Sequence, residues 1–211
     1  MALEVWIAFA VASMVLLVIP GPTILLVVSY ALGHGRRTAV ATATGVVFGD
    51  FLAMTASILG LGALLAASAD LYGILRLIGG AYLVYLGIRL WRAPVGDDPI
   101  ADNDNLPEES PLRILFHAFA VTALNPKSIV FFVAFVPQFI DPNAALLPQV
   151  VVMEATFLVL AGLNAIGYAL IADKARSYIR RKAVRRAVNR TGGTLLIAAG
   201  AVTAGYRKIA A

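Results

Sequence analysis

The chain has 211 residues, 60% of them hydrophobic and 14% charged, and its mean hydropathy of +0.85 is too apolar for a soluble globule of this size. It contains no cysteine, which excludes disulfide staples, thiolate metal sites and cysteine nucleophiles. A net charge of +5 would suit nucleic acid, but the basic residues fall in short segments beside apolar runs, so they read as orientation signals of an integral membrane protein.

Taken in order, the chain offers about six stretches of the roughly 20 apolar residues that a bilayer-spanning helix needs. The N-terminus carries Glu4 and neither Lys nor Arg before the first apolar run. It therefore lacks the positive leader of a cleaved signal peptide, and the first helix is expected to remain in the mature protein. That first span covers roughly Leu3 to Leu32 and is interrupted by Pro20-Gly21-Pro22; the second covers Ala39 to Ala67 and contains Gly45, Gly49 and Asp50. The third, Leu71 to Trp91, ends in an aromatic and basic interfacial anchor, Arg89-Leu90-Trp91-Arg92. From Ala93 to Pro111 the composition turns to Pro, Asp, Asn and Glu, the mark of a flexible acidic linker.

The fourth span, Leu112 to Phe139, carries Asn125-Pro126-Lys127 near its middle. A proline inside a helix costs about 3 kcal/mol, and a lysine at the bilayer centre costs about another 2.5 to 3.5 kcal/mol. Read as punctuation, the two fit together: Asn125 is a good N-cap and Pro126 suits the first helical position, so a half-helix starts there inside the membrane. Its N–H groups and positive dipole end, beside the Lys127 ammonium, make an expected anion site. The fifth span runs from Leu146 to Ala172 with Glu154 and Asn164 inside it. A basic segment from Lys174 to Arg190 follows, with arginines and apolar residues at helical spacing on different faces, expected to lie along the interface against anionic headgroups. The sixth span, Thr191 to Tyr206, is short and rich in Ala and Gly.

With six spans, thirteen basic residues share one side: Arg36, Arg37, Arg89, Arg92, Arg113 and the eight between Lys174 and Arg190. The opposite side keeps Glu4, Asp70 and Asp141, with Arg76 just inside the third span and Arg207 and Lys208 at the C-terminus. The positive-inside rule then makes the first side cytoplasmic and both termini periplasmic; a five-span chain with a cytoplasmic C-terminus is the alternative.

The two interruptions also match one another. Pro20-Gly21-Pro22-Thr23 falls opposite Asn125-Pro126-Lys127-Ser128 about 105 positions later, and each half sets one carboxylate, Asp50 or Glu154, in its next helix. Duplicating an odd number of spans inverts the second copy, so the expected fold is an all-α membrane protein of two inverted three-helix repeats, residues 1–92 and 112–211, with broken first and fourth helices. In such folds the breaks meet near the midplane around a solute, and one repeat rocks against the other. Candidate binding residues are Pro20, Gly21, Pro22, Asp50, Asn125, Pro126, Lys127, Glu154 and Asn164, with Asp50 and Glu154 as proton carriers. Each has a plainer alternative: Asp50 and Lys127 as a structural ion pair, the prolines as a packing kink, Asn164 and Tyr168 as interhelical hydrogen-bond partners. Gly45 with Gly49 is better read as close helix packing, the Phe131, Phe132 and Phe135 group as core or lipid-facing, and His34 and His117 as no metal site.

These residues in this order resemble the LysE/RhtB family of bacterial amino-acid exporters. The resemblance rests on Pro20-Gly21-Pro22, on Gly45 to Asp50, on Gly79-Gly80-Ala81-Tyr82-Leu83 ahead of Tyr85-Leu86-Gly87, and on Asn125-Pro126-Lys127, covering essentially the whole chain. It implies a multi-pass inner-membrane protein, not an enzyme and without a cofactor, that exports amino acids or close derivatives in exchange for protons. A homo-oligomer is compatible with such a chain. Two other classes stand beside it: an exporter of a hard inorganic cation held by carboxylates, and a membrane subunit with no transport cycle.

Overall fold

The computed structural model describes residues 1–67, 69–92, 110–141, 143–172 and 182–205, and all of their regular structure is helical. We number eight α-helices: α1 Leu3–Val18, α2 Pro22–His34, α3 Ala39–Ala67, α4 Ala69–Arg92, α5 Pro111–Ala123, α6 Pro126–Ala134, α7 Leu146–Leu170 and α8 Lys182–Gly205. Short 3-10 turns at Arg36–Thr38 and Val136–Phe139 complete the set. By length and composition α3, extended back to Arg36, and α7 each suit a membrane crossing, and the number rises to four if each bent pair, α1 with α2 and α5 with α6, is one span.

Both bends follow from proline chemistry. Pro20 forces Ile19 into extended backbone (φ −68°, ψ 115°) and ends α1; Gly21 stays extended, and Pro22 opens α2 at its first position, 55° off the first axis. In the second bend, Asn125 is extended (φ −69°, ψ 111°) because it precedes Pro126, and the two halves are inclined by 47°.

Glycines bring helix backbones together at two seams. A methyl on Gly45 would meet the main chain of Leu115 and Phe119 and the Ala118 side chain, and one on Gly49 would meet Thr122 and Ala123, so α3 and α5 run parallel in backbone contact. In the second seam Gly87 lies on Gly193 and Gly80 on Gly200, which sets α4 antiparallel to α8. At one end of this seam the Arg190 guanidinium stacks over Trp91, 5.2 Å from its centroid.

The core is apolar and aromatic. Phe131 and Phe132 of α6 are buried, pack on Phe157 of α7, and continue through Phe135 to Phe139, which meets Phe9 of α1 edge-on at 5.5 Å. This is the core alternative for that group. The last described helix covers Lys182–Gly205, so Lys182, Arg185, Arg186 and Arg190 lie on one continuous helix with the stretch from Thr191. The acidic linker at 93–109, the basic residues at 174–181 and the C-terminal Arg207 and Lys208 lie outside the described residues.

Candidate functional site

The two interruptions meet. Asn125 is buried, and its side chain serves both sides of the junction: Oδ1 accepts from the Lys127 N–H at 3.0 Å, capping α6, while Nδ2 donates to Thr23 Oγ1 at 3.0 Å on the first turn of α2. The Thr122 hydroxyl also donates to Thr23 Oγ1, at 3.3 Å. Thr23 and Thr122 were not singled out in the sequence. The available signal was a hydroxyl residue directly after Pro22, and a second one turn before Asn125, both inside otherwise apolar spans.

At the other side of the first bend, the broken helix α1 leaves backbone carbonyls without intrahelical donors, which is expensive away from water. All four of the last are met by side chains. Lys127 Nζ donates to Leu16 O at 3.0 Å and Ile19 O at 2.9 Å, Asn164 Nδ2 donates to Leu17 O at 3.1 Å, and the Tyr168 hydroxyl donates to Val18 O at 2.8 Å. The lysine charge also faces the negative end of the α1 dipole. Asn164 and Tyr168 therefore act between helices, as the plainer reading had it. Lys127 is turned towards carbonyls rather than towards the α6 N-terminus, where the anion-site expectation put it.

Pro20, Gly21 and Pro22 bring opposite backbone ends together. The α1 carbonyls carry the negative end, and the α2 N-terminus, whose cap Gly21 has no side chain to satisfy it, carries the positive end. The Lys127 arm runs beside Gly21, where a methyl would lie in ordinary contact with it, 3.4 Å from Nζ.

Asp50 completes the centre. It is 2% exposed, its carboxylate takes a hydrogen bond from the Ser128 side chain and feels the Lys127 charge, and its Oδ1 has no hydrogen-bond partner. A buried carboxylate oxygen left unpaired in an apolar bundle is costly. Glu154 is not gathered into this centre. Its Oε1 accepts from Thr55 Oγ1 at 2.6 Å, joining α7 to α3 five residues beyond Asp50, about 7 Å further along the α3 axis. Away from both acids, the Tyr30 hydroxyl and His117 Nδ1 share a hydrogen bond of 2.7 Å between α2 and α5. Among the described residues, no group of three or more His, Cys, Asp or Glu side chains is placed to hold a metal ion.

Apolar bent helices whose interruptions converge on buried charges and opposed dipole ends have the broken-helix pattern of membrane transporters. The comparisons with known proteins place it more closely. The family model described as LysE type translocator matches residues 14–206. The chain is 33% identical over 209 residues to a homoserine/homoserine lactone efflux protein of Salmonella typhimurium, covering 98% of this chain and 99% of that one. It is 32% identical over 204 residues to an uncharacterized membrane protein of Vibrio cholerae, covering 97% and 98%. It is also 32% identical over 143 residues to a leucine efflux protein of an Enterobacter species, covering 67% and 66%. No solved structure matches it. The chain belongs to the LysE type translocator family, and it is a membrane transporter, not an enzyme.

Proposed function

We propose that this protein exports amino acids or close derivatives across the bacterial inner membrane in exchange for protons, with both termini in the periplasm. The observation that carries the reading is the junction itself. Within one bend, carbonyls with a negative dipole end and N–H groups with a positive one lie side by side, next to a carboxylate with an unpaired oxygen. That array is complementary to a zwitterion: substrate ammonium towards Asp50 and the α1 carbonyls, substrate carboxylate towards the α2 N-terminus. The named relatives point the same way. Homoserine, its lactone and leucine share an α-ammonium, whereas the lactone has no free carboxylate, so the ammonium is the group that a common site has to read.

The inverted repeat is supported by the pairing of helices. Contacts from Trp6 to Thr156 and from Val18 to Tyr168 show α1 running parallel to α7, just as α5 runs parallel to α3. Contacts from Val47 to Gly162 and from Thr55 to Glu154 set α3 antiparallel to α7, as α4 is to α8. Exchanging the halves maps the α1–α7 pairing onto α5–α3 with the same sense, and sets the counterparts α3 and α7, and α4 and α8, antiparallel. Asp50 of α3 at the centre and Glu154 of α7, bonded to Thr55 of α3, are the two carboxylates by which protons enter against the substrate.

Uptake of labelled homoserine and leucine into inside-out vesicles, driven by an imposed proton gradient, tests the proposal. Accumulation that collapses with the gradient is expected. Unchanged transport in an Asp50→Asn, Glu154→Gln double variant would remove both carboxylates from proton coupling.

A further inference from the structure

Resting on that reading, we propose that Lys127 is a tethered occupant of the ammonium seat: its Nζ fills the position that the substrate's ammonium takes, and binding displaces it. Three observations converge here. First, Nζ is a primary ammonium held by two backbone carbonyls, Leu16 O and Ile19 O, at 3.0 and 2.9 Å, and these acceptors suit the ammonium of a substrate equally well. Second, Asp50 keeps an unpaired buried oxygen within the electrostatic reach of that seat, an acceptor that a free ammonium with its own three donors would use and that Lys127, committed to the carbonyls, leaves vacant. Third, the three side chains that cap α1 differ in kind. Asn164 and Tyr168 are neutral, carry few rotatable bonds and stand on the long helix α7, whereas Lys127 reaches in on a flexible four-carbon arm past Gly21. One pair of carbonyls is closed for good, and the other is closed by a group able to withdraw. Without substrate the lysine keeps the negative end of α1 neutralised; with substrate the incoming ammonium takes over that task, and the charge at the centre is conserved through the exchange.

The experiment uses methylammonium as the probe, so that it reads the seat without reference to amino-acid transport. Full-length Lys127→Ala protein in detergent is melted with methylammonium chloride and, at equal ionic strength, with tetramethylammonium chloride, which has no N–H donors. The expected result is a rise of several degrees with methylammonium alone, larger than in the wild type. An equal response to both salts, or none, overturns the proposal. Where the alanine variant does not survive extraction, the wild type supplies the readout through reductive methylation of Lys127, quantified by peptide mass spectrometry against the chain's other three lysines. Labelling of Lys127 should rise several-fold with an amine probe that does not react, such as saturating trimethylammonium, which still donates one N–H; constant labelling overturns the displacement. If wild-type protein gains no stability from any amino acid while methylammonium still rescues the alanine variant, the transport reading fails and the seat stands.

Discussion

Asn125 concentrates two tasks in one side chain, and substitutions separate them. Serine caps a helix about as well as asparagine but is too short to reach Thr23, whereas alanine does neither. Asn125→Ala is therefore expected to lose about 1 kcal/mol more than Asn125→Ser, read by thermal melting in detergent. Vesicle uptake should fall alike in both, because both break the Thr23 contact that holds the two bends in register. The capping half of this was legible in the sequence, since an Asn before a Pro acts on its own next turn. The Thr23 half was not: its partner lies 102 residues away, and only the meeting of the two bends selects it. The same limit explains Lys127. The cost of burying it was evident from composition alone, but which backbone end it neutralises depends on carbonyls more than 100 positions upstream.

At the scale of the element, the C-terminal end of α1 is held open by its neighbours. Tyr168→Phe removes the donor to the Val18 carbonyl, and Asn164→Leu removes the donor to Leu17. Each should cost about 1 kcal/mol, the range of interhelical hydrogen bonds in membranes, measured by denaturant unfolding in micelles. Because both act on one helix end, the double variant is expected to depart from the sum of the two. Element boundaries set by proline were readable to within a residue or two, as Pro22 and Pro126 show. The continuity of α8 was not, since the charges of Lys182 to Arg190 marked a topological signal and hid the fact that the helix runs through them.

For the whole molecule, two sets of glycines carry opposite expectations. A methyl at Gly87 or Gly193 would sit 2.5 to 2.9 Å from atoms of the facing helix, while one at Gly60 or Gly62 would meet nothing within 4 Å. Gly193→Ala is expected to destabilise by about 1 to 3 kcal/mol through overpacking, and Gly60→Ala to stabilise by about 0.5 to 1 kcal/mol through helix propensity. Melting temperatures of the two variants in one detergent check both. A matching sequence spacing of Gly80 with Gly87 and of Gly193 with Gly200, seven residues in each case, was present in the chain, but only packing reveals that the two rows face each other.

That seam has a mechanical consequence. Two helices touching main chain to main chain at a pair of points cannot shear past each other without first lifting apart, so α4 and α8 travel as a single plank. Since one board of the plank comes from the first half of the chain and the other from the second, the halves are stitched along that flank. On the exchange proposed above, alternation of access is expected to be a swing of the bent pairs against the plank, as a door moves on its jamb.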